Sequence, residues 1–290
     1  MTDVHNASMP AELLTERRGS TLVLAISDPA TRNTLSAQVV AAGIEAMDAS
    51  EGNAEIRAVV LCGAGNHFCA GGNVGGLAER RAQGPDAQRR MLDALNQWIE
   101  TMRAYSKPVI AAVEGAAAGA GFALALAADA IVASRDATFV LSYAKLGLPP
   151  DAGASWHLAR TLPRALAQRL VWLAEPVDAA TLERHGVVGD VVEPGTALDR
   201  ALALAERLAA MSPGALGAGK ELVGGAATRS LGEQLRLERE RFVEALFGDD
   251  VGEGLRAFAE KRPPRFGVAP GVAPGTASGT ASETRPEATP

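Results

Sequence analysis

Residues 58–73 read AVVLCGAGNHFCAGGN, and residues 107–121 read KPVIAAVEGAAAGAG. Each is a short apolar run closed by glycines. Ala58–Leu61 and Pro108–Val113 read as strands. Glycine after a strand lets backbone N–H groups come close to a ligand. The second stretch also opens a helix, expected over Gly121 to Ala128, whose first N–H groups and dipole favour negative charge. Taken alone, either segment has two readings. One is a tight turn with close helix–sheet packing, the other a cradle for a ligand.

The alternation continues on both sides. Thr21–Ile26 is an apolar run with β-branched residues and predicts a strand. Asp28-Pro29 makes a turn, and a helix opens near Ser36. Met91, Leu95, Trp98 and Met102 recur at helical spacing on one face. Ala130–Ala133 and Thr138–Leu141 predict short strands. From Ala152 the pattern is helical, apart from Val187–Val192. Strands alternating with helices predict right-handed βαβ units and a mostly parallel sheet, an α/β fold class. The helical last third is expected to be a cap or an assembly element.

Hydrophobic residues make up 47% of the 290, and charged ones 21%, the balance of a globular chain large enough to bury a core. A net charge of −6 disfavours nucleic acid as a partner of the whole surface. Cys62 and Cys69 form neither a disulfide framework nor a paired zinc motif, so a reducing, cytoplasmic setting is expected. The opening MTDVHNASMPAELL lacks the basic and apolar regions of a secretory signal. The longest low-charge run, Pro108–Ser134, is interrupted by Glu114 and Asp129, so no membrane span is expected. The expected organisation is a disordered leader at 1–11, a core at 12–200, a helical region at 201–266 and a disordered, repetitive tail at 267–290. A dinucleotide-binding reading fails, because G-x-G-x-x-G starting at Gly119 ends on Leu124 and sits at mid-chain.

VVLCGAGNHFCAGG (59–72), KPVIAAVEG (107–115) running into Ala118–Gly121, and DAIVAS (129–134), in that order, resemble the crotonase, or enoyl-CoA hydratase/isomerase, superfamily. The turn Arg32–Ser36 and AFAEKR (257–262) fit as well. The resemblance implies a crotonase-like fold, a spiral of ββα repeats with a C-terminal helical trimerisation region. It implies a homotrimer, or a hexamer made of two trimers. It also implies an oxyanion hole for a coenzyme A thioester, with the N–H groups of Gly72 and Ala120 as donors to an enolate. Ala70, in the same loop, is expected to contact substrate. The family usually has Asp where this chain has Asn73.

Hydratases of the family use two glutamates to activate water. Ala123 and Tyr143 stand at those positions, and neither is a carboxylate. A different acid is present. KLGLPPDAG (145–153) resembles the corresponding segment of ring-1,2-epoxyphenylacetyl-CoA isomerases, and dienoyl-CoA isomerases and 4-chlorobenzoyl-CoA dehalogenases also carry an aspartate there. The resemblance implies that Asp151 is an acid/base. From spacing alone, an Asp after Pro-Pro and before a helical run reads first as an N-cap. The dehalogenases pair their aspartate with a histidine and a tryptophan where Asn96 and Tyr143 stand, so their hydrolytic chemistry lacks its parts here.

Asn96, Trp98 and Tyr143 are expected to line the acyl site, with polar surface as the competing reading for Asn96 and core for Trp98. Arg32 is expected to contact a CoA phosphate. Phe258 and Lys261, three apart on one helix face, are expected to reach the CoA of a neighbouring subunit. Glu79–Arg90, charged and broken by Gly84-Pro85, reads as a lid or as a solvated helix. His67 reads as a solvated loop residue. His157 and His185 have no partners at metal spacing, so no metal is expected, and no cofactor beyond the CoA of the substrate. The expected reaction is isomerisation of an acyl-CoA. The rivals are an enoyl-CoA hydratase with displaced acids and a non-catalytic protein that binds CoA thioesters.

Overall fold

The computed structural model describes residues 11–267. The expected leader and tail lie outside it, save for their inner ends. The strands in chain order are β1 (Glu12–Arg18), β2 (Thr21–Ser27), β3 (Ala58–Gly63), β4 (Val109–Val113), β5 (Ala116–Ala118), β6 (Ala130–Ser134), β7 (Thr138–Val140), β8 (Val177–Asp178) and β9 (Asp190–Val192). Six of them form one sheet in the order β1-β2-β3-β4-β6-β9. Only β1 runs antiparallel to its neighbour. Strands β5, β7 and β8 make a small second sheet.

The helices are α1 (Ala37–Glu51), α2 (Val74–Gln83), α3 (Pro85–Ala104), α4 (Ala120–Ala127), α5 (Ala154–Thr161), α6 (Arg164–Leu173), α7 (Ala179–Arg184), α8 (Ala197–Ala209), α9 (Pro213–Gly225), α10 (Leu231–Leu246) and α11 (Asp249–Ala259). Period-two alternation sends Val59, Leu61, Val109 and Ala111 to one face of the large sheet. That face lies under α1, α3 and α4. Val60, Cys62, Ile110 and Ala112 point to the other, under α8. Both faces are covered, which is why β3 and β4 read as unbroken apolar runs. Ala197, Ala201 and Ala205, one per turn, let α8 lie close on the strands. Gly43 does the same for α1 over α3, since a Cβ there would stand 2.3 Å from the Trp98 indole.

A repeat unit is visible in β4-β5-α4 and again in β6-β7-α5. Each contributes a strand to the large sheet, a short strand to the small one, then a helix. After β3 the small-sheet strand shrinks to one bridge, Cys69 to Ala117. Among the described residues no helix is long and apolar enough to cross a membrane.

Some expectations change. Charged Glu12–Arg18 is a full strand, held by seven cross-strand pairs to β2. Only Asp190–Val192 of the 187–192 segment is strand. Val187 instead closes a turn by donating its N–H to the Leu182 carbonyl (2.9 Å). The boundary at 200 falls inside α8, a helix that belongs to the core, so the outer helical region starts with α9. Glu79–Arg90 is the end of α2 and the start of α3, joined at Gly84 with φ 99°. Helix α11 stops at Ala259. Lys261, at φ 53°, lies beyond it in a C-terminal cap, where its N–H reaches the Phe258 carbonyl and that of Arg262 reaches Ala257. Phe258 and Lys261 therefore do not share a helix face.

Candidate active site

Two clamps bring the glycine loops together. The first is Asn33, buried and left-handed at φ 63°. Its Nδ2 donates to the carbonyls of Ala64 (2.9 Å) and His67 (2.7 Å), and its Oδ1 accepts from the Asp28 N–H (2.9 Å). The turn it anchors then grips the next loop. Ala70 N–H donates to the Arg32 carbonyl (3.0 Å), and Leu35 N–H to the Gly71 carbonyl (2.8 Å). The second clamp joins this loop to β5, with Cys69 N–H on the Ala116 carbonyl (3.0 Å) and Ala118 N–H on the Cys69 carbonyl (2.9 Å).

Two glycines are required by closeness. A Cβ on Gly71 would stand 2.5 Å from the Ala118 carbonyl oxygen and 3.2 Å from the Ala120 nitrogen. A Cβ on Gly121 would stand 2.3 Å from the Cys69 carbonyl oxygen. The two loops thus meet backbone to backbone. Gly119, at φ 52° and ψ −123°, turns the chain into α4 and leaves Ala120 as its first residue. The first N–H groups of a helix have no partner within it. Among the described residues neither the Ala120 nor the Gly72 N–H has a backbone acceptor, and the space around the Gly72 Cα is open. This pair of free donors can stabilise negative charge on an oxygen placed between them. Asn73 is the N-cap of α2, its Oδ1 accepting from the Gly76 N–H (3.1 Å).

The acid side comes from the turn after β7. Tyr143 stands in a 3₁₀ turn, Ser142–Leu146. Its hydroxyl donates to Asp151 Oδ1 at 2.5 Å. A Cβ on Gly119 would lie 3.8 Å from the Tyr143 ring, so the phenol stands beside the residue that precedes the Ala120 donor. Asp151 is not a helix cap. The N-cap of α5 is Gly153, with no side-chain bond, and Asp151 contributes only its carbonyl to the Ala154 N–H. Ala152 (φ 50°) and Gly153 (φ 76°) turn the chain through two left-handed residues before the helix begins. Both Tyr143 and Asp151 are half-buried. Burial raises the Asp151 carboxyl above its usual range, and the Tyr143 hydroxyl partly offsets this. Burial, then the neighbouring carboxylate, raises the Tyr143 phenol.

The structure thus brings together Ala70, Gly72, Ala120, Tyr143 and Asp151, with Arg32 alongside through its backbone bond to Ala70. Arg32 is exposed. Asn96 is not part of this group. It is exposed on α3, on the side facing away from Trp98. Trp98 is wholly buried in the core, and its Nε1 has no partner among the described residues. Phe258 is 86% exposed at the end of α11. His67 is structural, its Nδ1 accepting the Ala116 N–H at 3.2 Å. Ala123 is buried within α4. Sequence reasoning missed Asn33 and the Tyr143–Asp151 pair. An asparagine just after the Asp28-Pro29 turn, a residue type that takes the left-handed conformation more readily than most, was a readable signal for the first, and nothing local signalled the second. No cluster of metal-ligating side chains occurs among the described residues.

The profile of the family described as enoyl-CoA hydratase/isomerase matches residues 16–268. The 1,2-epoxyphenylacetyl-CoA isomerase of Escherichia coli (strain K12) is 35% identical over 246 residues, covering 84% of this chain and 94% of its own. Enoyl-CoA hydratase EchA19 of Mycobacterium tuberculosis is 34% identical over 263 residues, covering 88% and 96%. The crystal structure of an enoyl-CoA hydratase from Polaromonas sp. JS666 has a TM-score of 0.87 at 48% identity, over 88% of this chain and 99% of that one. With the match running from β1 to past α11, and the relatives aligned over nearly their whole lengths, this chain belongs to the enoyl-CoA hydratase/isomerase family.

Proposed function

We propose that this chain is an acyl-CoA isomerase that moves a double bond, or opens a ring, through an enolate. The observation that carries the reading is the half-buried Asp151 carboxyl, held by Tyr143 beside the loop that carries the Ala120 donor. The thioester oxygen accepts the N–H groups of Gly72 and Ala120. The Asp151 carboxylate takes a proton from a carbon conjugated with the thioester, and the C–H electron pair moves onto that oxygen. Asp151, now protonated, returns the proton at another carbon as the carbonyl re-forms. One base suffices for both transfers. Ala123 and Tyr143 offer no carboxylate pair to activate water. The relatives named as hydratases, Escherichia coli 2,3-dehydroadipyl-CoA hydratase among them, favour water addition as a second reading.

Arg32 is assigned to a CoA phosphate. The assembly is assigned as a homotrimer, or a dimer of trimers. Among the described residues α9 and α10 bury no side chain and α11 buries only Ala257. Such helices gain their stability from packing on something else. Phe258 and Lys261 are assigned to a neighbour's CoA. Phe258 comes from the last turn of α11 and Lys261 from the cap that follows it.

The test is isomerisation of a 3-enoyl-CoA and of a ring-epoxide CoA, beside hydration of crotonyl-CoA, in wild type and Asp151→Asn. Loss of the general base is expected to slow isomerisation about 10²–10⁴-fold. Fast hydration that survives in Asp151→Asn would sink the reading.

A further inference from the structure

We propose that Tyr143 is a positioning residue for Asp151, pinning Oδ1 so that Oδ2 is the oxygen that carries the proton. The proposal rests on the isomerase reading and names the part of the site that replaces a water-activating carboxylate. The Tyr143 hydroxyl donates to Oδ1 at 2.5 Å, and among the described residues no other side chain donates to this carboxyl, whose remaining donor is the Asp151 backbone N–H. The backbone on both sides is set. Leu148 N–H closes the Tyr143 turn on its carbonyl (3.0 Å), and Gly147 is left-handed at φ 72°. Ala152 and Gly153 then fix the chain just after Asp151. The phenol oxygen lies 3.9 Å from where a Cβ on Gly119 would stand, so a larger residue at 119 would press on the donor.

The chemistry uses the tyrosine as a donor only. A C–H bond breaks, its proton goes to Oδ2, and its electron pair goes to the thioester oxygen. In the second half the Oδ2–H bond breaks, a C–H bond forms at the other carbon, and the carbonyl is restored. The phenol proton stays on Tyr143 throughout, since burial and the facing carboxylate both oppose its loss. The other titratable group against Tyr143 is the Cys69 thiol, pushed up to about 12 by burial and so neutral. No charged side chain contributes to the Asp151 shift. The hydroxyl favours the carboxylate over the acid. Removing it makes Asp151 easier to protonate and leaves the carboxyl with only its own backbone N–H to hold it.

The experiment uses Tyr143→Phe, with Asp151→Asn as reference. A bond to a charged group accounts for about a 10–100-fold change, so kcat for isomerisation is expected to fall by that factor. KM for the acyl-CoA is expected to hold, and the acidic limb of the kcat profile to move to higher pH. The Asp151 carboxyl band, identified by infrared difference against Asp151→Asn without substrate, is expected to titrate at higher pH in Tyr143→Phe. A second handle keeps the ring and the fold. The chain has two tyrosines, so 3-fluorotyrosine labelling alters only Tyr105 and Tyr143. The more acidic phenol is expected to move the limb to lower pH. An unmoved limb in both proteins, or a raised KM with kcat intact, overturns the positioning role. A wild type that does not isomerise overturns the reaction instead, and the infrared titration still decides whether the pair is coupled.

Discussion

Replacing Gly121 by alanine sets two effects of opposite sign against each other. Gly121 is the second residue of α4, where alanine is the better helix former by about 1 kcal/mol. Against this, the new Cβ would stand 2.3 Å from the Cys69 carbonyl oxygen and 2.8 Å from the Cys69 Cβ. Ordinary contact begins near 3.5 Å, so the loop must retreat by about 1 Å. Cys69 cannot do so freely, because its carbonyl and its N–H both bond to β5. The displacement passes along Ala70 and Gly71 to the Gly72 donor. Overpacking of this kind costs about 1–3 kcal/mol, which outweighs the helix gain or roughly cancels it. The effect on catalysis is larger. A donor moved by about 1 Å costs about 100-fold, and loss of one oxyanion donor about 10²–10³ in kcat. Urea unfolding and acyl-CoA turnover kinetics measured on the same preparation separate the two effects. Gly72→Ala is the control. Its Cβ meets nothing within 4 Å, so stability is expected to hold while activity falls, because the methyl enters the space left for the thioester. A Gly121→Ala protein with wild-type stability and wild-type kcat would refute the claim that this contact sets the spacing of the donors.

Three further outcomes are expected. Burial, with Arg103 and Arg160 nearby, pushes the His157 imidazole from 6.5 down to about 4. The unfolded chain then binds the extra proton first, so stability is lost as pH falls from about 6.5 to 4, by about 2 kcal/mol after allowing for screening. Urea midpoints across that range should slope less in His157→Gln, and an equal slope would assign the acid loss elsewhere. Lys220 Nζ bonds Asp129 Oδ2 and the Met102 carbonyl, both at 2.8 Å, tying α9 to the core. Lys220→Met is expected to cost about 2 kcal/mol in denaturant unfolding, and a change under about 0.5 would mean the pair contributes nothing net. Light scattering on dilution is expected to show a stable trimer or hexamer. Phe242→Asp, at a residue 70% exposed on α10, should weaken it, and an active wild-type monomer would remove the shared site.

The parts of the fold legible in the sequence were those that repeat. Strands β3 and β4 were readable because burial on both faces demands unbroken apolar runs. Ser36 was readable because its hydroxyl caps α1, accepting the Val39 N–H at 3.1 Å. Strand β1 was not, because Glu12, Glu16, Arg17 and Arg18 carry no strand pattern. Its register against β2 makes it a strand. Helix α3 was readable as a helix, but the roles given to two of its residues were incompatible. Asn96 and Trp98 are about 200° apart on a helix, so they cannot both face the site. The Trp98 ring turns towards Gly43, and Asn96 is left to solvent.

The two halves of the candidate site differ in the same way. The oxyanion side is backbone, and backbone donors need only small residues that let two chains touch. That requirement leaves a mark in composition, at Gly71, Gly119 and Gly121. The acid side depends on one contact, and a contact leaves no such mark. Tyr143 and Asp151 are eight residues apart, at neither helical nor strand period. They meet because a 3₁₀ turn that ends in left-handed Gly147, followed by Pro149-Pro150, folds the segment back on itself. Read by spacing, Asp151 was a plausible cap, and Tyr143 stood out only through the family resemblance, as a lost glutamate. Ala152, in a conformation that an L-residue seldom adopts, moves the start of the helix to Gly153 and so frees the carboxyl to meet the phenol. The strain at that one position is what turns a capping sequence into a candidate acid.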